Sequence, residues 1–268
     1  MSEACPPSAC DGCRAVRGEL ERLGLKLATF DHVVALAGNP NTGKSTLFNR
    51  LTGLRQHTGN WPGKTIARAE GGFGYNGSRY KLVDLPGTYS LRSASPDETV
   101  AREFLLFGHP DLTVVVADAT SLERNLNLAL QILQVTDRVV LALNLMDEAR
   151  AHGIRVDARG LANQLGVPVV PCSARSGEGV DDLLVEIEGV TKGTVPTRPY
   201  RLKLAVPGAA AALEQVVARL RARYPKLPNA EWIALRLLEG YRAVAARVAD
   251  GSIGQLQPDA AERVAVPA

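Results

Sequence analysis

Apolar runs that alternate with helix-period segments over residues 33–190 predict an α/β fold. Its core would be a doubly wound, mostly parallel sheet with one antiparallel edge strand, followed by a small all-helical C-terminal unit. Three features of the chain carry that expectation. HVVALAG, LTVVVADA, RVVLALNLM and VPVVPCSA are short apolar runs of the kind found in strands covered on both faces. STLFNRLTGL, SLERNLNLALQILQ and GVDDLLVEIEGV repeat their apolar residues at helical spacing. TIARAEGGFGYNGSRYKLVDLPG reads as two extended runs about Asn76-Gly77, the strongest short hairpin signal in the chain.

The flanks organise the rest. CPPSACDGC places Cys5, Cys10 and Cys13 in C-x4-C-x2-C spacing, and RAVRGELERLGLKLA then has mild helical character. Three local thiols lack the fourth ligand that a closed metal site needs, so residues 1–31 read as a mobile tail. With Cys172 they are read as reduced thiols. Residues 32–195 form the α/β unit. Pro196, Pro199 and Pro207 then punctuate a connector, and AAAALEQVVARLRARY, AEWIALRLLEGYRAVAARVAD and DAAERVAV read as helices of a unit spanning 196–268.

Composition narrows the class. Hydrophobic content of 46% and charged content of 22% are those of an ordinary globular protein. No apolar run is long enough to cross a membrane, and the first 30 residues lack the basic start and apolar core of a secretion signal. A net charge of +3 without a Lys/Arg block gives no nucleic-acid signature. His32, His57, His109 and His152 are scattered, so none is read as catalytic or metal-binding.

The chemistry begins at GNPNTGKS, residues 38–45. A strand, then G-x-x-x-x-G-K-S, then a helix is the context a phosphate-binding loop requires. Gly38 and Gly43 let the backbone curl so that N–H groups point inward, and the helix N-terminus adds its dipole. Asn39, Pro40, Asn41, Thr42 and Thr46 complete the loop. Lys44 is expected on the β- and γ-phosphates and the Ser45 hydroxyl on Mg2+. Asp84, ending the strand of KLVDLPGTYSL, would orient that Mg2+ through water, while the Gly87 N–H would sense a γ-phosphate.

The base is read next. In NLMD, Asp147 offers two acceptor oxygens to guanine's N1–H and N2–H2, a donor pair adenine lacks. Asn144 would brace loop and base, with Leu145 beside the ring. In CSAR, residues 172–175, the Ala174 N–H would meet guanine O6, flanked by Ser173 and Arg175.

The order of these motifs resembles a translation-factor-class GTPase with the P-loop fold. More narrowly, GNPNTGKSTLFNRLTG, GNWPGKT, DLPGTYSL, SPDETVAREFLL, DATSLERNLNLALQIL, NLMDEA and EWIALRLLEG resemble the cytosolic N-terminal domain of the FeoB family of bacterial ferrous iron transporters. That resemblance spans roughly residues 33–245. It implies GTP and GDP as ligands, Mg2+ and K+ as ions, and Mg2+-dependent GTP hydrolysis. Gly63, Lys64 and Thr65 would belong to a first switch, with Thr65 closing on Mg2+ and the γ-phosphate, and 85–98 would be a second switch. The C-terminal helices would modulate nucleotide release. Asn41 would hold K+ together with the Gly59 and Trp61 carbonyls. Asn41, Lys44, Thr65 and Gly87 are thus the expected catalytic set. A membrane permease region of the same polypeptide would carry Fe2+, placing this piece on the cytoplasmic side of the bacterial inner membrane, with an oligomer formed through the full-length protein.

Two departures from better-known GTPases stand out. Thr88 follows DLPG in place of a water-positioning glutamine, which implies slow intrinsic hydrolysis. Leu145 stands where a base-packing lysine is common, which implies modest affinity. An RNA- or ribosome-associated GTPase is the alternative; Arg219, Arg221 and Arg223 are its only basic cluster, and they read as a solvated helix face.

Overall fold

The structure, a computed structural model, describes Leu25 and residues 29–54, 56–61, 65–92, 95–202, 206–225 and 227–253. Cys5, Cys10 and Cys13, the helix expected at DAAERVAV, and all but Leu25 of the one expected at RAVRGELERLGLKLA lie outside the described residues.

Seven strands form one sheet: β1 His32–Gly38, β2 Gln56–Asn60, β3 Ala67–Tyr75, β4 Ser78–Asp84, β5 Leu112–Asp118, β6 Val139–Asn144 and β7 Val169–Pro171, in the order β2-β3-β4-β1-β5-β6-β7. β4, β1, β5, β6 and β7 run parallel, whereas β3 pairs antiparallel with both β2 and β4. The β3–β4 hairpin turns at Asn76 (φ 44°) and Gly77 (φ 79°), the left-handed pair that a two-residue turn demands. β2 is absent from the sequence reading. Its residues, QHTGN, have no apolar alternation, and the strand exists by pairing Asn60 with Ala67 through Gln56 with Gly71.

Among the described residues the helices are α1 Lys44–Thr52, α2 Pro96–Phe107, α3 Leu122–Leu133, α4 Met146–Ala151, α5 Ala158–Leu165, α6 Val180–Thr191, α7 Ala209–Arg223, α8 Ala230–Leu238 and α9 Arg242–Ala249. Two differ from expectation. α1 stops at Gly53 (φ 60°), so Leu54 leaves the apolar face and is 73% exposed. The single helix expected over AEWIALRLLEGYRAVAARVAD breaks into α8 and α9, because Gly240 (φ 75°) takes a left-handed conformation between them. α2 starts as its sequence dictates: the Ser95 hydroxyl accepts from Glu98 N at 3.2 Å, and Pro96 occupies the first turn.

The sheet is covered on both faces. Leu47, Phe48, Leu183 and Ile187 from α1 and α6 pack on Val34, Leu36, Leu82 and Val114. On the other face Phe104, Leu128, Ile132 and Leu165 pack on Val33, Ala35, Val83 and Leu141. Trp232, Ile233 and Val244 join that second cluster, so α8 and α9 extend the core beside α2. The parallel strands therefore deliver their carboxyl ends to one rim, where such sheets bind ligands.

Candidate functional site

β1 ends in the loop that opens this rim. A side chain at Gly38 would lie 2.6 Å from the Val116 carbonyl, so the approach of β1 to β5 requires glycine. Within the loop the Thr42 hydroxyl donates to Asn39 O at 3.0 Å, and Asn41 adopts a left-handed φ of 65°. Gly43 has φ 77°, and a Cβ there would fall 2.3 Å from Asn144 Nδ2. No side chain caps α1 and its first turn holds no acid, so its N–H groups face the loop as an anion site would need. Ser45 and Thr46 are exposed in that turn, whereas Lys44 is buried and ion-paired to Asp84 Oδ1. Burial raises the Asp84 carboxyl above its ordinary range, against the pull of Lys44.

The segment after β4 lies on this loop. Leu85 N donates to Leu36 O at 2.9 Å and Thr88 N to Gly38 O at 3.2 Å. Gly87 packs on Pro40, whose backbone would sit 3.4 Å from an added Cβ. Thr88 itself is 2% exposed, and its hydroxyl donates to Ser90 O at 2.8 Å. Its oxygen is committed to shaping the turn.

Asn144, at the end of β6, joins the two halves of the rim. Its Nδ2 donates to Thr42 O at 2.8 Å, and its Oδ1 accepts from Ala174 N at 2.9 Å, so the N–H expected on guanine O6 is committed to Asn144 in this structure. Leu145 then turns left-handed (φ 62°), which swings Asp147 into the first turn of α4. Asp147 N donates to Ser173 Oγ at 3.1 Å. The Ser173 hydroxyl is also the main influence holding the Asp147 carboxyl below the usual carboxylate range. One Asp147 oxygen, Oδ1, is shut from solvent with no hydrogen-bond partner. Such an acceptor is costly unless a ligand supplies donors.

The loops thus gather residues 38–46, Asp84, Gly87, Asn144, Leu145, Asp147 and 173–175. They do not gather the rest of the expected set. Gly59 lies on β2 and Trp61 follows it, three strands from β1, or about 14 Å across the sheet. Trp61 is buried edge-on against Phe104 at 5.5 Å with Arg68 over its ring. Thr65 is exposed just before β3. Gly63 and Lys64 lie outside the described residues. Sequence reasoning missed Arg50, whose guanidinium donates to Ala174 O at 3.2 Å and Arg175 O at 2.5 Å. An arginine on the polar side of α1 carries no motif to betray that role.

Comparison with known proteins gives the family and the fold. The sequence model of the family described as Ferrous iron transport protein B matches residues 32–187, more than half of the chain. The chain belongs to the FeoB family. It is 38% identical over 236 residues to the Fe(2+) transporter FeoB of Salmonella typhimurium, covering 84% of this chain and 30% of that protein. It is 45% identical over 159 residues to FeoB of Escherichia coli K12, covering 58% and 21%. Among solved structures it resembles the apo cytosolic domain of T. maritima FeoB, with a TM-score of 0.75, 37% identity, and coverage of 87% of this chain and 90% of that one. It also resembles an E67A mutant of S. thermophilus NFeoB bound to GDP, with a TM-score of 0.71, 37% identity, and coverage of 81% and 83%. The chain therefore spans about a third or less of the length of these full-length FeoB relatives. Among the described residues, no helix is long and apolar enough to cross a membrane.

Proposed function

We propose that this chain is the guanine-nucleotide module of a ferrous iron transporter, binding GTP and GDP, hydrolysing GTP, and passing nucleotide state to a membrane region of a longer polypeptide. The observation that carries this reading is the buried Asn144 amide, which braces the loop bearing Asp147 to a phosphate-type loop. The membrane region, Fe2+ as cargo and placement at the bacterial inner membrane come from the full-length relatives.

In this reading α1's uncapped N-terminus and the Gly38–Ser45 backbone hold the phosphates, and Lys44 leaves Asp84 to meet them. That exchange frees an oxygen donor beside Ser45, and two hard oxygens suit Mg2+. The ion would be held by Ser45 and Asp84, joined by Thr65 on closure, and would neutralise charge on the transferred phosphoryl group. Gly87, resting on Pro40, would register the last phosphate. With Thr88 committed to its turn, attacking water lacks a positioned side chain there, so hydrolysis without further help is slow.

The helices after residue 196 act as the responding unit. Arg102 of α2 donates to Leu91 O at 3.3 Å and to Tyr241 Oη at 3.2 Å, and Arg92 pairs with Glu239 at 2.7 Å. A shift in 85–92 would therefore reach α8 and α9 directly. Calorimetric titration with GDP, GTP and ATP, with and without Mg2+, tests the reading. Guanine nucleotides bind and ATP does not; equal affinity for ATP and GTP would overturn it.

A further inference from the structure

The two base loops are separate segments, and a pair of side chains outside the expected nucleotide contacts fastens them. Arg150 on α4 and Glu178 in the loop after β7 form a bidentate pair, Nη1–Oε1 at 2.7 Å and Nη2–Oε2 at 2.5 Å. Both side chains are about half exposed, where most ion pairs contribute little, and the bidentate geometry is what distinguishes this one.

Glu178 is not a free surface acid. Its backbone forms a β-bridge with Ser173, whose N–H donates to Glu178 O at 2.9 Å. The turn between them is closed by Gly177 N on Ser173 O at 2.8 Å. Ser173 in turn accepts from Asp147 N. A pull on the Glu178 side chain is thus transmitted through one bridge to Ser173 and Ala174. Arg50 holds the same loop from its other side, through the Ala174 and Arg175 carbonyls, and packs 3.4 Å from where a Cβ on Gly177 would be. The loop between β7 and α6 is gripped by one arginine from α1 and one from α4.

We infer that the Arg150–Glu178 pair is a positioning clamp that sets how long a guanine nucleotide stays bound, by holding 173–178 against Asp147. This rests on the guanine-nucleotide reading above. Opening the base site requires 173–178 to move from α4, and the pair lies across that opening. The pair lies outside the residues expected to touch base or phosphate, so its effect falls on release more than on encounter.

Stopped-flow release of a fluorescent GDP from the full chain, for wild type, Arg150→Gln, Glu178→Gln and the double variant, tests the inference. Each single variant should release GDP about fivefold faster with its association rate unchanged. The double variant should match the singles, since one interaction can be lost only once. Glu188→Gln, which removes another exposed ion pair to Lys192, is the control and should release GDP at the wild-type rate. Melting temperatures without nucleotide should fall no further in the Arg150 and Glu178 variants than in Glu188→Gln, so a general loss of stability is not the cause. Wild-type release rates in both single variants, or effects that multiply to about 25-fold in the double, would overturn the clamp while leaving the nucleotide reading intact. Failure of wild type to bind GDP would overturn both.

Discussion

The side-chain amide of Asn144 donates to the carbonyl of Thr42 at 2.8 Å, fastening the end of β6 to the loop that follows β1. The same residue accepts from Ala174 N, so one buried amide holds three loops in register. Gly43 owes its identity to this contact as much as to its left-handed φ, since a Cβ would strike the Asn144 amide.

Asn144→Ala should therefore cost both stability and ligand. Thr42 O and Ala174 N would lose partners in a water-poor site, a loss of about 2–3 kcal/mol. Denaturant melts without nucleotide should show that loss, and calorimetry should show GDP and GTP weakened together. A variant of wild-type stability would mean that Thr42 and Ala174 find other partners.

Lys44 and Asp84 satisfy each other here, so Lys44 has to leave Asp84 before it can meet a phosphate. In Asp84→Asn the buried ammonium loses its counter-charge, at about 1–3 kcal/mol, below the range for a fully enclosed pair because the two line a loop. GDP restores a negative partner. Melts in EDTA should show GDP stabilising Asp84→Asn more than it stabilises wild type, and an equal gain in both would show that Lys44 stays away from the phosphates.

Asp147→Asn should exchange one base for another. An amide offers a donor where guanine presents donors, so GTP weakens, whereas xanthine places an acceptor at that edge and its nucleotide should gain. Wild type should prefer GTP to XTP, and the variant should reverse that order in titration. Unchanged preference would assign the buried Oδ1 some other partner.

Much of this was legible in the chain, and the reasons are physical. β1, β5 and β6 are covered on both faces, so their apolar runs announce themselves; β2 is polar and forms only because β3 offers an edge. Asn76-Gly77 marked the hairpin because few residues tolerate two successive left-handed positions. That Gly38, Gly43, Lys44, Asp84, Asn144 and Asp147 meet on one rim could be read from the chain, because the proposed phosphate and base contacts need those groups at fixed points of a strand–loop–helix frame. Arg50, Arg150 and Glu178 could not be, since an ion pair between distant segments leaves no spacing in either. Apolar periodicity continues on both sides of Gly240, which hides the break in the sequence.

Cys172 gives a pH prediction with a definite sign. Burial against Asn144 and the sheet pushes its thiol up to about 12, from an ordinary value of 9.0. The unfolded chain loses this proton at lower pH than the folded one, so Cys172 favours the native state least as pH climbs from 9.0 toward about 12. Wild type should lose stability across that window faster than Cys172→Ala. At neutral pH the thiol should resist alkylation until denaturant is added. Parallel stability curves would show that the thiol ionises without hindrance.

The last prediction concerns what speeds hydrolysis when Thr88 cannot. Asn41 is exposed at the mouth of the loop, its φ of 65° turning it away from the helix that follows. Its amide oxygen is one donor for a monovalent cation; the carbonyls of Gly59 and Trp61 would be others. In this conformation β2 holds both at the far edge of the sheet, and Trp61 is anchored on Phe104. Assembly of the site therefore requires 56–61 to leave β3, and QHTGN, polar and paired on one side only, gives that strand little to hold it. A K+ placed there would supply the positive charge that an arginine finger supplies elsewhere, a contribution of about 10³–10⁵ in rate. Na+ is smaller and would draw the same oxygens in too far. GTP hydrolysis should then be faster in KCl than in NaCl at equal ionic strength, and Asn41→Ala should remove most of the difference while GDP affinity stays near wild type. Tethering β2 to β3 by cysteines at Gly59 and Arg68, which face each other in the ladder, should abolish the K+ response until the tether is reduced. Equal rates in the two salts would assign Asn41 to shaping the loop alone, and a K+ response that survives the tether would place the cation elsewhere.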